Sequence, residues 1–235
     1  MKKIMFNDKY GLTQSVLEGR KTMTRRVIKL PDGTEGIYDW TRSDFPAPLI
    51  SIRTKDGELH DRFPAYQVGE VVAVAQRYQD IPMDVMMQRR TDGKTDRWPF
   101  ESLLRQSHGC SNKQGVVASL MPHHIRITDI KVERLQDISD EDCLREGIIP
   151  VTWRQWHKQE PDDFTPQRYT DHDVWTLEKF REGILDPWAE SDPNEYMAET
   201  AQVAFAALID RISGKGTWDS NPWVWVYQFK KYQEQ

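Results

Sequence analysis

The sequence predicts an α+β fold whose core is a mixed β-sheet or a small β-barrel. Strand signals recur along the whole chain of 235 residues, helix signals are fewer, and no helix stands between every pair of strands. A doubly wound α/β fold would need a helix at each crossover. We therefore expect a single domain over residues 1–235 in which helices flank a core of strands.

The first block is predicted to run strand, helix, strand. Residues 3–6 form a short apolar segment, and residues 21–28 are rich in threonine and end in Val-Ile. Asn7 or Asp8 is expected to cap the helix between them, and Gly19 is expected to end it. The apolar stripe of this helix is Leu12, Val16 and Leu17.

The remaining core strands follow later in the chain. Residues 71–75 are apolar on both faces, which is typical of a buried strand. Residues 125–135 change the parity of their apolar alternation, which predicts a β-bulge near Thr128-Asp129. Residues 223–229 place four aromatic side chains on one face and form the last predicted strand.

Two further helices have clear end signals. Ser139 is the expected N-cap of a two-turn helix that ends at Gly147, because three acidic residues follow it in the first turn. A longer helix is predicted to start at Asp192-Pro193, to include Met197 in its apolar stripe and to end at Gly214.

Long polar insertions separate these blocks, at residues 30–65, 79–120 and 151–192. The first is expected to hold a surface hairpin of residues 49–54 and 58–63. The second is expected to be helical around residues 99–106 and a loop over residues 109–115. The third is acidic, carries four of the tryptophans, and is interpreted as family-specific decoration.

Charge is distributed unevenly around a net charge of −5. Residues 1–30 carry eight basic and two acidic side chains, whereas residues 151–200 carry five basic and twelve acidic ones. This pattern favours a local anion site over a long nucleic-acid track. Two cysteines and no apolar run long enough to span a membrane exclude a disulfide scaffold and predict a cytoplasmic protein.

The densest chemistry lies at the start of the second strand. Lys21 and Thr24 place an amine near a hydroxyl, which suits a base and a nucleophile, while Arg20, Arg25 and Arg26 add positive charge. The alternative is a solvated basic edge strand. If Lys21 lies in the turn before the strand, its long side chain reaches the side of Thr24.

Other candidate residues have competing interpretations. Glu146 stands at a helix C-terminus, where the dipole disfavours a carboxylate, so it is either a general acid or base or a solvated side chain. The aromatic face of residues 223–229 suits either base stacking or the core. His123-His124 has no third ligand at a metal spacing, so we expect no metal site and no cofactor.

Several motifs resemble the ASCH family of the PUA-like superfamily, specifically its phage- and prophage-associated group. The first is Leu-Glu-Gly-Arg-Lys-Thr-Met-Thr-Arg-Arg-Val-Ile at residues 17–28. The others occur in the family's order, at residues 68–70, 132–142, 146–148, 218 and 221–226. The resemblance implies a PUA-like small mixed β-barrel with flanking helices and a cleft beside the Gly-Arg-Lys-Thr segment.

The resemblance also implies a function. ASCH domains are thought to bind RNA or nucleotides, and some small members are amidohydrolases that deacetylate N4-acetylcytidine with Lys, Thr and Glu. Those residues correspond to Lys21, Thr24 and Glu146, with Arg20, Arg25 and Arg26 as ligand-binding side chains. The expected partner is a nucleoside, a nucleotide or single-stranded RNA. A non-catalytic RNA-binding module and a phage accessory protein that binds a protein through the Trp-rich insertion stay open as alternatives.

Overall fold

The computed structural model describes residues 1–31, 34–41, 49–156, 169–177 and 197–233. The strands in these ranges are β1 (Lys3–Ile4), β2 (Met23–Val27), β3 (Thr34–Thr41), β4 (Leu49–Thr54), β5 (Leu59–Arg62), β6 (Val71–Val74), β7 (His124–Arg134), β8 (Ile148–Trp156), β9 (Tyr169–Leu177) and β10 (Trp223–Tyr232). The helices are α1 (Leu12–Leu17), α2 (Met83–Gln88), α3 (Arg97–Gln106), α4 (Asp140–Arg145) and α5 (Ala201–Ser213).

The central sheet is mixed and confirms the α+β class. Its strand order is β1-β6-β7-β10-β2, with β1 parallel to β6 and every other neighbour antiparallel. All five predicted core strands are strands of this sheet. The bulge is confirmed as well, because Gln228 pairs with Asp129 and Phe229 pairs with Ile127, which leaves Thr128 as the extra residue.

The expected closed barrel is wrong, since the sheet is open between β1 and β2. The physical reason is the length of β1, which pairs through only two residues and ends before it can reach β2. A side chain spans the gap instead: Arg26 Nη2 of β2 donates to the carbonyl of Met5 at 2.6 Å.

The helices begin at different residues from some of those predicted. Ser139 caps α4 as expected, whereas α1 follows Gly11 in a left-handed conformation rather than a side-chain cap. The start predicted at residues 192–195 lies outside the described residues. Met197 precedes α5 and is not part of it, because Thr200 caps the helix and accepts from the amide of Val203.

In the first insertion the predicted hairpin is confirmed, but its expected position at the surface is wrong, because β4 packs into the core. The hairpin of β4 and β5 exists, but β3 adds a third strand that the sequence pattern did not predict. Ile50 and Ile52 of β4 are fully buried and pack into the main core with Val72 and Ile127. The alternating burial of β4 shows that one face of this small sheet is covered.

Shortening Ile52 to valine tests this packing. We expect a loss of about 0.5–1.5 kcal/mol in the free energy of unfolding, because a buried methylene is removed. Leu59→Ala on β5 is the control; it removes more atoms, but from a side chain that is 54% exposed, so its cost stays below about 0.5 kcal/mol. Urea denaturation of both variants measures the difference. A smaller loss for Ile52→Val than for Leu59→Ala would contradict the placement of β4 in the core.

The second insertion covers the other face of β6. Val72 and Val74 face the main core, while Ala73 and Ala75 pack against a second cluster that includes Met86 and Leu104. The predicted helix near residues 99–106 is confirmed as α3. The predicted loop at residues 109–115 contains short 3-10 turns.

The third insertion begins as an antiparallel pair of β8 and β9, which was not predicted. Its residues 157–168 and 178–192, including Trp188, lie outside the described residues. None of the helices within the described ranges combines the length and apolar character that crossing a bilayer requires.

Candidate active site

Two glycines position Lys21 beside the end of α4. Gly19, at φ +81°, turns the chain after α1, and the amide of Lys21 then donates to the carbonyl of Ser15 at 3.0 Å. Gly147, at φ +105°, follows α4, and a Cβ at this position would lie 3.8 Å from Cβ of Lys21. That distance is an ordinary van der Waals contact, so it is the positive φ that favours glycine at this position, because a residue with a side chain would be strained there.

Lys21 and Glu146 form a buried ion pair. Lys21 Nζ lies 2.5 Å from Glu146 Oε2 and 2.7 Å from the backbone carbonyl of the same residue. The exposed fraction is 2% for the Lys21 side chain and 4% for that of Glu146. The two residues are 125 positions apart in sequence. The fold therefore brings together two of the three residues that the resemblance implies as catalytic.

Burial lowers the pKa of Lys21 below the usual 10.5 of a lysine. The Glu146 carboxylate acts in the opposite direction without cancelling the effect, and the positive charges of Arg26 and Arg25 lower the pKa further. The neutral amine is consequently easier to form here than on an exposed lysine. This is the property that a lysine needs to act as a base.

Arg25 holds the other oxygen of Glu146. Its Nη1 lies 3.1 Å from Glu146 Oε1, and its remaining nitrogens contact Glu133 Oε1 at 2.6 Å and Asp142 Oδ2 at 2.8 Å. Burial opposes the charge of Arg25, but the carboxylates of Glu146 and Glu133 raise its pKa overall. Lys131 completes the network at 2.8 Å from Glu133 Oε2.

Thr24 lies in β2 beside this network. Its exposed fraction is 5%, and no described residue hydrogen-bonds to its hydroxyl. Lys21 precedes β2 in a turn, so its side chain and that of Thr24 line the same cleft although strand alternation alone would separate them. Within the described residues Lys21 Nζ hydrogen-bonds to Glu146 and not to the Thr24 hydroxyl, so the geometry places an amine of lowered pKa and a hydroxyl on the lining of one cleft.

The central cleft, as we name it, contains these groups and has a volume of about 880 Å³. Lys21, Thr24, Arg26 and Glu146 form its polar side. Helix α5 supplies an apolar wall of the same cleft, formed by Phe205, Leu208, Ile209 and Ile212. A cleft lined by both apolar and polar side chains suits a ligand that has an apolar ring and polar edges.

The three arginines expected to bind ligand occupy different environments. Arg26 is exposed and lines the cleft. Arg25 also lines it, but its guanidinium is committed to three carboxylates. Arg20 does not line the cleft; it pairs with Glu18 and donates to Ser15 Oγ at 3.0 Å.

The other candidates belong to the core. Trp225, Tyr227 and Phe229 are all less than 7% exposed, which favours the core interpretation of the aromatic strand. Burial raises the pKa of the Cys143 thiol to about 12, so this buried cysteine is not a thiolate nucleophile at neutral pH. In the part of the chain that the structure describes, no three His, Cys, Asp or Glu side chains cluster as a metal site.

Sequence reasoning missed two parts of this site, namely the counter-charges Glu133 and Asp142 and the wall contributed by α5. The signal for Glu133 and Asp142 was their place in the motif at residues 132–142. No protein-family model, curated protein or solved structure matches the chain.

Proposed function

We propose that the chain is a cytoplasmic ASCH protein with a PUA-like core, encoded by a prophage, and that it hydrolyses the amide of an N-acylated nucleobase. The observation that supports this most strongly is the buried Lys21–Glu146 pair, which lines one cleft together with Thr24, whose hydroxyl has no hydrogen-bond partner among the described residues. The reaction is of the N4-acetylcytidine type. Base, nucleophile and acid are then Lys21, Thr24 and Glu146.

The first half of the reaction transfers the acyl group to the enzyme. Lys21, as the neutral amine, accepts the hydroxyl proton while Thr24 Oγ1 bonds to the acyl carbon. The amide C–N bond then breaks, and the exocyclic nitrogen takes a proton from Glu146. The products of this half are an acyl-threonine ester, the free aminated base, and Lys21 and Glu146 as an ion pair.

The second half restores the enzyme with one water molecule. Glu146, now a carboxylate, accepts a proton from water as the water oxygen attacks the ester carbon. Lys21 returns its proton to Thr24 Oγ1 as the ester bond breaks, and the carboxylic acid leaves. The contact of 2.5 Å between Lys21 and Glu146 allows the ionic and neutral forms of the pair to interconvert without a net change of charge.

The side chains around the reacting groups have separable roles. Arg25 touches Glu146 but is itself buried among carboxylates, so it is a positioning residue. Arg26 and Lys29 line the cleft near its exposed side and suit a phosphate. The wall of α5 suits the face of the base.

The decisive experiment is a hydrolysis assay of N4-acetylcytidine with the wild-type protein. We expect release of cytidine and acetate, and transient acetylation of the peptide that contains Thr24, detected by mass spectrometry after rapid acid quenching. The rival interpretation is a binding module in which the Lys21–Glu146 pair is only structural. Binding of the nucleoside without turnover or acetylation would support that module and contradict the enzyme.

The pH dependence of kcat/KM follows from the pair. In the active state Lys21 and Glu146 share one proton, which either residue can carry. If the pair loses this proton, no proton remains for the departing amine. Because burial lowers the pKa of Lys21, we expect kcat/KM to fall as the pH rises through a value below 10.5. A pH–rate profile measures this value. A rate that is constant or rising beyond pH 10.5 would contradict the shared-proton mechanism.

A further inference from the structure

A second depression adjoins the central cleft along β2. This edge groove has a volume of about 560 Å³, and Met5, Arg26, Val27 and Lys29 line both it and the central cleft. Its other walls include Lys3, Arg62, Phe63 and Tyr66. A ligand longer than a single nucleoside could therefore extend from one depression into the other without leaving the protein surface.

The edge groove is positively charged. Lys3, Arg26, Lys29 and Arg62 line it, no acidic side chain does, and none of these four contacts a carboxylate within the described ranges. Lys3 Nζ donates instead to the carbonyls of Gln114 and Val116. Four cations that no described carboxylate neutralises form a site that is complementary to a short anionic chain.

The groove also presents aromatic rings. Phe63 is 59% exposed, which is unusual for a phenylalanine. Tyr66 is fixed by a hydrogen bond of 3.0 Å from its hydroxyl to the carbonyl of Lys3 and by edge-on contact with Tyr227. Proteins bind single-stranded nucleic acids with the same two features: the bases stack on aromatic rings, and the phosphates pair with neighbouring cations.

We infer that the edge groove binds the nucleotides next to the target base, so that the substrate is a single-stranded RNA rather than a free nucleoside. The position of the acylated base in the central cleft rests on the proposed function, whereas strand binding in the groove does not. Unpaired strands are favoured over duplexes because stacking on Phe63 needs an exposed base face. Four cations can neutralise only a few phosphates. A binding site of this size is compatible with the net negative charge of the chain, which disfavours a long nucleic-acid track.

The test is fluorescence anisotropy with an end-labelled RNA of about eight nucleotides that contains one N4-acetylcytidine. Lys29→Ala and Arg62→Ala are each expected to lower the slope of log Kd against log salt by about 0.7. Phe63→Ala is expected to weaken binding at least about fivefold through lost stacking. Lys55→Ala is the matched control, because Lys55 is an exposed cation of the same hairpin and is not among the residues that line the edge groove.

The outcomes separate the two proposals. Strand binding that depends on Lys29, Arg62 and Phe63, with no hydrolysis, would support the groove and reject the enzyme. Hydrolysis of the free nucleoside, with RNA bound no more tightly than cytidine monophosphate, would overturn the groove alone. Equal affinity for a duplex, or displacement of the RNA by a poly-glutamate peptide, would also overturn it, and the latter would assign the groove to an acidic protein segment.

Discussion

Replacing Thr24 with valine is expected to lower kcat for the acylated nucleoside by at least about 10³-fold. Valine keeps the shape of threonine but lacks the oxygen that attacks the acyl carbon. Thr24→Ser retains a hydroxyl and should keep much of the rate. Thr22→Val is the matched control, because Thr22 is two residues away and does not line the cleft. Steady-state release of cytidine measures all three variants.

Lys21→Ala and Glu146→Ala are expected to lower kcat by about as much as Thr24→Val does, and double variants should lower kcat little further. When several residues act as one catalytic unit, removing any one of them also removes the contribution of the others, so the losses in kcat of the single variants do not add. Equal losses of kcat in Thr22→Val and Thr24→Val would show that any substitution in this segment lowers activity, and would argue against Thr24 as the nucleophile. Full activity in Thr24→Val would reject the proposed chemistry outright.

The second large effect is expected in stability rather than in activity. Arg25→Met should lower the free energy of unfolding by about 3–5 kcal/mol, because it leaves the buried carboxylates of Asp142 and Glu146 and the partly buried carboxylate of Glu133 without their shared cation. Arg97→Met is the control, since Arg97 is exposed and pairs with Glu101 at 3.5 Å on the surface of α3. Loss of such a pair costs less than about 1 kcal/mol.

Guanidinium denaturation followed by tryptophan fluorescence measures both variants. The positioning role of Arg25 adds a second readout, since Arg25→Lys keeps a charge but cannot bridge three carboxylates at once. We expect this variant to recover part of the stability while kcat stays low. Equal stability of Arg25→Met and Arg97→Met would contradict the network.

Local signals predicted the five strands of the central sheet and the glycines that follow α1, α4 and α5, because alternation and capping act within a few residues, whereas β3, β8 and β9 were not predicted. Ser139, Gly147 and the bulge at Thr128 are examples that the structure confirms. The closure of the sheet could not be predicted in this way. It depends on how far β1 extends, and a short apolar segment does not fix its own paired length.

The site was harder to predict, for a physical reason. Met23, Thr24 and Arg25 are all buried, so both faces of β2 are covered at its start. Alternation predicts which side chains share a face but not which distant helix covers that face. Glu133, the carboxylate nearest to Arg25 in space, is 108 positions away in sequence. The sequence pattern does not show this ion pair, and for that reason Arg25 is predicted to bind a ligand instead.

The open edge of the central sheet affects how the protein associates with other copies of itself. Unpaired strand edges invite a further strand from another chain, and native proteins protect such edges. Here β1 offers only two residues, and the guanidinium of Arg26 occupies the carbonyl of Met5 at the point where a longer edge would continue. An incoming strand would have to displace that hydrogen bond and bring its backbone against a charged side chain. The same bond that spans the gap thus protects this edge against strand addition and aggregation.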